Sequence, residues 1–362
     1  MYLSSLNARD FRNFEELSLE PNPRFNILYG DNGQGKTNLL EAIFWLGTLR
    51  PIRTSRLREL NRWKTKACKV SGSVNLEGLT HRLAVEFKDG VRQAYREDKK
   101  VRSSSFFGAL SVVLFTPDDV GLIRGAPERR RRFLDRAIFT GRPSHLEDFV
   151  NYRRALDARN QLLRERGPTD LIEVYEQTLS VIAHKLICSR REFVEEIKVK
   201  FVENLATILG PEYECSVRYK PSIDIGETDG IQQLQSTWAI DRERDRERGF
   251  TQRGPHADDL NFHILGHSAR TYASQGQQRS MVLAMKIAEI QLLKERNNQI
   301  PIVLLDDVSS ELDATRNERL FEFLNGFEGQ VFITTTDPHF LRIDGDQSSW
   351  QVHNGSVDSS KD

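Results

Sequence analysis

Eight residues near the start of the chain constrain its fold most: Gly30, Asp31, Asn32, Gly33, Gln34, Gly35, Lys36 and Thr37. They form a complete G-x-x-x-x-G-K-T phosphate-binding loop. Its glycines let the backbone turn N–H groups inward around an anion. Lys36 is then set to reach the outer phosphates, and the Thr37 hydroxyl to ligate Mg²⁺. Residues 24 to 29 read as a buried strand entering the loop. Residues 38 to 46 read as a helix leaving it, with Gly47 as its C-cap. A helix N-terminus adds its dipole to phosphate binding. The competing interpretation is a plain glycine turn between strand and helix. ATP and Mg²⁺ are the expected ligands, on an α/β scaffold.

A chain of 362 residues can bury a large core and form about two domains. Charged residues make up 29% and no apolar run approaches the ~20 residues of a membrane span. Cys68, Cys188 and Cys215 contain no Cys-x-x-Cys pair, which argues against a zinc site or a disulfide framework. The first residues lack the pattern of a signal peptide, so a cytoplasmic location without a membrane partner is the expectation. Basic and acidic residues balance at 52 each. Attraction to nucleic acid must therefore come from local patches.

Residues 1 to 29 suggest short strands turning near Arg12-Asn13 and again at Pro21-Asn22-Pro23. Residues 69 to 74 and 82 to 87 suggest antiparallel strands, and 111 to 115 a buried one. From about 144 the texture turns helical. Leu146, Phe149, Arg153, Leu156, Asn160 and Leu163 form an interrupted seam. After a break at Gly167-Pro168, Asp170 and Glu173 suggest a capping box for a second helix. That helix carries Ile172, Tyr175, Leu179, Ile182 and Leu186 at heptad spacing. Running to about 208, it would be ~55 Å long. Two such helices make an antiparallel arm or, more plainly, a helical subdomain. The alternating charges at 241 to 248 suggest a solvated face. His263 and His267 lack further ligands for a metal.

Residues 299 to 307 form an apolar run ending in Asp306 and Asp307. This is the form of a Walker B strand. Asp306 is placed to hold Mg²⁺ opposite Thr37, and Asp307 to act as general base alongside Lys36 in catalysis. Upstream, Ser274, Gln275, Gly276, Gln277 and Gln278 open another helix, a second anion-binding N-terminus. This turn resembles the L-S-G-G-Q signature of ABC-type ATPases, and the order P-loop, insertion, signature, Walker B matches that class. The resemblance implies that the signature of one subunit covers the nucleotide on another, as two identical chains can do around a two-fold axis. Residues 309 to 313, ending in Asp313, resemble the D-loop at that interface. Thr334, Thr335 and Thr336 stand where such ATPases often carry a histidine, and Asp307 where many carry glutamate. Both departures suit slow hydrolysis.

More narrowly, the chain resembles the RecF family of recombination mediator ATPases. The residues are Leu6 with Phe11-Arg12-Asn13-Phe14, Pro117-Asp118-Asp119 through Gly125 to Asp135, 254 to 259, and 305 to 313. Ala257 departs, standing where many relatives carry a basic residue. The resemblance implies an ABC-type P-loop ATPase head, with a mixed sheet plus an antiparallel β subdomain and an inserted helical arm. The expected head pieces are 1–135 and 251–362, with the arm at 136–250. It further implies ATP-dependent homodimerisation, binding to single-stranded, duplex or gapped DNA, weak DNA-stimulated ATP hydrolysis, and work with RecR and RecO in recombinase loading. Arg12 is implied near the phosphates. Arg129, Arg130, Arg131 and Arg132 are the candidate DNA contacts, although consecutive helical residues point in different directions. A transporter's nucleotide-binding module and a non-hydrolysing ATP clamp are the alternatives.

Overall fold

The computed structural model describes residues 1–54, 56–142, 144–226, 228–307 and 312–360, with backbone only for Ser104, Asn297, Phe340 and Ser360. In chain order, β1 (Tyr2–Phe11), β2 (Phe14–Leu19) and β3 (Phe25–Tyr29) lead through the phosphate loop into α1 (Lys36–Thr48). Then come β4 (Ala67–Leu76), β5 (Leu79–Lys88), β6 (Val91–Arg96), β7 (Lys99–Val101), α2 (Ser103–Phe106) and β8 (Val112–Phe115). The middle holds α3 (Gly121–Arg124), α4 (Pro127–Gly141), α5 (Ser144–Arg164), α6 (Thr169–Leu209), β9 (Cys215–Lys220) and α7 (Gly230–Arg248). It continues through β10 (Asp259–Ile264), β11 (His267–Ser268), α8 (Ala269–Tyr272) and α9 (Gln275–Asn297). The chain closes with β12 (Ile302–Asp306), α10 (Ala314–Gly326), β13 (Val331–Thr335), β14 (Gln347–His353) and β15 (Ser356–Ser360).

Two compact units result: residues 1–119 with 286–362, and residues 120–285. These limits differ from the boundaries at 135 and 250 expected from sequence, because α4 and β9 pack with the long helices and β10 pairs with β9 and packs on α4.

The first unit has two six-stranded sheets. One is antiparallel, in the order β2-β1-β4-β5-β6-β7. The other runs β15-β14-β3-β13-β12-β8, with β14, β3, β13, β12 and β8 parallel and β15 antiparallel at the edge. The run Ile302 to Asp306 is buried throughout, as a strand covered on both faces requires. Helix α1 packs against strands of both sheets and is apolar nearly all round, as a helix enclosed on every side must be. Trp45 within it stacks on Phe11 at 5.7 Å.

Gly47 is not the C-cap expected from sequence. The helix continues through it to Thr48, and Leu49 takes the left-handed position (φ 55). A Cβ at Gly47 would sit 2.6 Å from Val112 Cγ2 and 3.0 Å from the Leu110 carbonyl. The glycine therefore serves the close approach of helix and strand.

In the second unit, α5 (21 residues) packs against α6 (41 residues). At ~1.5 Å per residue α6 is ~60 Å long. The buried line on α5 is His145, Tyr152, Ala155, Leu156, Arg159 and Leu163, rotated from the expected seam so that Arg153 faces solvent. The expected capping box is absent. Pro168 is the N-cap, with no side-chain cap, and Glu173 instead pairs with Arg242 at 2.8 Å.

The charged stretch at 241 to 248 lies in α7, and one face of it is internal rather than solvated. Asp245 is fully buried and accepts from Arg159 at 2.8 Å, while Arg242 pairs with Glu176 at 2.7 Å. Charges at helical spacing can form an ion-pair seam between helices, and alternation of sign alone does not distinguish this from a wet face.

Candidate nucleotide site and its flanking surfaces

Parallel strands deliver their loops to one edge, the C-terminal ends of the strands, where ligands of open α/β sheets bind. The phosphate loop leaves β3 and the two acids end β12; both strands flank β13 in one sheet. The Thr37 hydroxyl donates to Asp306 Oδ1 at 2.7 Å. Thr334, from the end of β13, donates to the same oxygen at 3.0 Å, and its own oxygen accepts from the Asp307 N–H at 2.9 Å. Thr334 thus fixes both acids at once. Asp307 takes a left-handed backbone (φ 50), which turns the chain out of the strand just after Asp306.

Burial raises the Asp306 carboxyl above its ordinary value, against the two threonine hydrogen bonds and nearby Arg53, which favour the charged form. Lys36 closes over the loop, donating to the carbonyls of Gly30 (2.5 Å) and Asp31 (2.9 Å). Burial lowers its ammonium from the ordinary value, opposed by Asp307, Asp306 and Asp31.

The loop is braced from outside. Gly30 has φ 142, and a Cβ there would lie 2.4 Å from the Val352 carbonyl on β14. Asn13, at the β1–β2 turn, donates to the Gln34 carbonyl at 2.8 Å and accepts from Asn38 at 2.7 Å. A Cβ on Gly35 would strike that same Asn13 side chain at 2.5 Å. The Asn354 N–H donates to the Gln34 side chain at 2.8 Å. Asp31, Asn32 and Gly33 remain exposed at the tip.

Arg12, expected near the phosphates, is held by neighbouring residues of the same unit. Its guanidinium forms a bidentate pair with Glu41 at 2.7 and 3.0 Å and reaches the Glu59 carbonyl at 2.7 Å. Glu41, on α1, is fully buried and also accepts from the Ile52 N–H at 2.9 Å. A phosphate contact by Arg12 would require leaving this pair.

Two hard oxygen donors, Thr37 and Asp306, within hydrogen-bond reach of each other beside a phosphate loop fit Mg²⁺. That ion is usually held by one or two such groups together with phosphate oxygens and water. Among the described residues no group of three or more His, Cys, Asp or Glu side chains is arranged to hold a metal.

In the second unit, Ser274 begins α9 with a reciprocal cap. Its hydroxyl accepts from the Gln277 N–H at 3.2 Å, and Gln277 Oε1 accepts from the Ser274 N–H at 2.8 Å. Gln278 is buried and donates to the Ala273 carbonyl at 2.8 Å, a bracing role, while Ser274 and Gln275 are exposed. Asp313 caps α10 by accepting from the Arg316 N–H at 3.0 Å; the D-loop residues Ser309, Ser310 and Glu311 lie outside the described residues. Thr335 bonds locally with Asp337, and Thr336 is exposed.

The four consecutive arginines divide. Arg130 is a correction to the expected DNA contacts: its side chain is 4% exposed and bidentate to Asp259 at 2.6 and 3.0 Å. It also donates to the Gly125 carbonyl, so a DNA phosphate would have to break an enclosed pair. Arg131 donates to the Asp258 carbonyl at 2.6 Å, and Arg132 pairs with Glu128 one helical turn away. Arg129 is exposed and lies along Gly121 and Gly125.

Glu41 was not singled out in the sequence, where Asn13 stood only in a turn and a family motif and Thr334 only as one of three hydroxyls at a position often held by histidine. A polar pair ending the apolar run 331 to 333 was a usable signal for Thr334. The other two depend on long-range register. No helix of the described residues is long and apolar enough to cross a membrane.

Known proteins resemble this chain over nearly its whole length. The family model for the RecF/RecN/SMC N terminal domain matches residues 2–353. The DNA replication and repair protein RecF of Myxococcus xanthus (strain DK1622) is 42% identical over 368 residues, covering 99% of this chain and 97% of the relative. That of Geobacter sulfurreducens is 39% identical, covering 99% of each. A solved structure of the recombination mediator protein RecF with ATP in the RecFOR pathway superposes with TM-score 0.92 at 31% identity, covering 99% and 98%. An Smc head bound to the C-winged helix domain of ScpA shares the fold, with TM-score 0.58 at 15% identity. A phosphate loop joined to two strand-end acids, on an ABC-type head with this full-length similarity, places the chain in the RecF family.

Proposed function

We propose that the chain is an ATP-gated, DNA-binding protein of recombinational repair and replication-fork maintenance. ATP closes a homodimer on DNA at a gap or at a junction of single and double strands, and slow hydrolysis reopens it. The observation that carries this reading is the 2.7 Å bond from Thr37 to Asp306, which joins the phosphate loop to the Walker B strand with Asp307 next in the chain. The loop N–H groups of residues 30 to 37 cradle phosphate. Lys36 exchanges the Gly30 and Asp31 carbonyls for phosphate oxygens. Thr37 and Asp306 are the residues that would hold Mg²⁺, which when bound neutralises phosphate charge. Asp307 takes a proton from the water that attacks the γ-phosphorus as ADP departs. Thr334 positions the Asp306 carboxylate and the Asp307 backbone.

Ser274, Gln275, Gly276 and Gln277 of one copy cover the nucleotide of the other, and Asp313 follows the loop that crosses between them. Nucleotide then belongs to the interface, so ATP binding stabilises the dimer by mass action. RecR and RecO are the partners in this reading, in the cytoplasm. Support comes from relatives named for DNA replication and repair and from a RecF solved with ATP. The same names weigh against a transporter module.

Replacing Asp307 by Asn tests the mechanism. Removing a general base slows hydrolysis about 10²- to 10⁴-fold. ATP binding should persist and the dimer should outlive that of the wild type. Phosphate release measured on gapped DNA at an unchanged rate, or rapid dissociation of the variant dimer, would sink the assignment.

A further inference from the structure

Between Arg50 and Lys69 the chain carries eight basic residues and a single acid, Glu59. No purely basic run marks this segment, since apolar residues punctuate it. In the structure it crosses the surface of the first unit from α1 to β4. At its far end residues 62 to 65 make a tight turn, closed by the Thr65 N–H donating to the Arg62 carbonyl at 3.0 Å. The two central residues of the turn are Trp63 and Lys64. Trp63 is 85% exposed, whereas Trp45 and Trp238 are fully buried and Trp350 is half-buried. Lys64 has φ 70, a backbone that residues with a Cβ seldom adopt.

The turn is anchored rather than loose. The Arg62 N–H donates to the Asp10 carbonyl at 2.7 Å, its side chain to the Asp10 carboxylate at 2.8 Å, and it pairs with Glu15 at 3.2 Å. The side chains of Arg56, Arg58, Lys64 and Lys66 are exposed and have no acidic partner among the described residues. An indole therefore stands in water on a fixed turn, in a segment that carries four exposed cations without acidic partners among the described residues.

We propose that this turn is a nucleic-acid contact in which Trp63 stacks on an unpaired base while the surrounding lysines and arginines hold the adjacent phosphates. The chemistry is that of single-strand platforms, which combine a basic track with an aromatic face. One exposed ring, with no other large apolar side chain exposed among the described residues from 50 to 78, is a poor membrane anchor, and relatives of this chain are named for DNA replication and repair. The backbone also ties the turn to the nucleotide-bearing helix. Arg12 holds the Leu60 and Glu59 carbonyls on one side and Glu41 of α1 on the other.

This inference rests on the DNA-binding reading above. The test uses the full chain with ATP and labelled single-stranded, gapped and fully duplex oligonucleotides. Trp63→Ala should weaken binding to the first two about 10-fold or more and to duplex by less, as loss of one stacked base implies. Trp63→Phe should restore most of the loss. DNA should quench wild-type tryptophan fluorescence and leave Trp63→Phe unquenched. Lys64→Ala with Lys66→Ala should lower the salt slope by about 1.5.

Equal gapped-DNA affinity of wild type and Trp63→Ala would overturn the contact while leaving DNA binding intact. Failure of the wild type to bind any of the oligonucleotides would overturn both readings. A Trp63 blue shift on phosphatidylglycerol vesicles, with no quenching by DNA, would assign the turn to a membrane surface instead.

Discussion

At the scale of single residues, the nucleotide site is a set of charges held at a cost until ligand arrives. Asp306 is buried, and burial has pushed its carboxyl upward. An ionised group whose folded pKa is raised costs stability above that pKa, and the cost disappears as pH falls through it. Asp306→Asn keeps an oxygen for Thr37 and Thr334 while removing the charge. The ligand-free variant should therefore melt no lower than wild type in calorimetry, yet lose Mg²⁺-dependent nucleotide binding. A lower melting temperature would mean that the carboxylate stabilises the empty site. Lys36 shows the same economy, resting on the carbonyls it must leave when phosphate enters. The motif letters pointed to Lys36, Thr37, Asp306 and Asp307 because each proposed chemistry needs that residue type at that spacing, and the structure brings the four together. The contacts of Thr334 and Asn13 stayed hidden because they are created by register, where β13 lies beside β12 and where the β1–β2 turn meets the loop.

At the scale of elements, the second unit is held together by enclosed ion pairs as much as by apolar seams. Arg190 on α6 joins Asp135 of α4 at 2.9 and 3.0 Å and Asp258 at 2.9 Å. Burial would raise the Asp135 carboxyl, but Arg190 and His145 outweigh it and hold it at about 2. A depressed carboxyl contributes stability above its unfolded value of about 3.9 that is lost as pH falls through the folded one. Asp135→Asn should therefore cost about 3–5 kcal/mol near neutral pH, the usual penalty for breaking a buried pair. The difference from wild type should shrink between about pH 4 and pH 2. Denaturant unfolding at several pH values checks this, and a pH-independent difference would contradict it. Helix periodicity was readable from Leu156, Leu179 and Leu186. The rotation that buries Arg159 and Asp245 was not, since a charged residue at a seam position looks the same whether its partner is water or a facing helix. The four arginines at 129 to 132 teach the converse, for sequence density suggested a DNA surface where Arg130 is an internal strut.

At the scale of the whole molecule, two compact units carry the two candidate anion-binding turns. The phosphate loop and Walker B acids lie in one, and the signature at Ser274 in the other. Order along the chain made this division of labour legible, whereas the unit limits depended on how α4 and β10 pack. If the signature acts on a second copy, Ser274→Arg should leave nucleotide affinity of the monomer within about 2-fold, as for a surface change, and abolish pairing. The most direct measurement is sedimentation velocity of the wild-type chain and Ser274→Arg, each with and without ATP and Mg²⁺. The account predicts a monomer that becomes a dimer with ATP for the wild type alone. A wild-type chain that binds ATP yet stays monomeric, or a variant that pairs equally well, would contradict it.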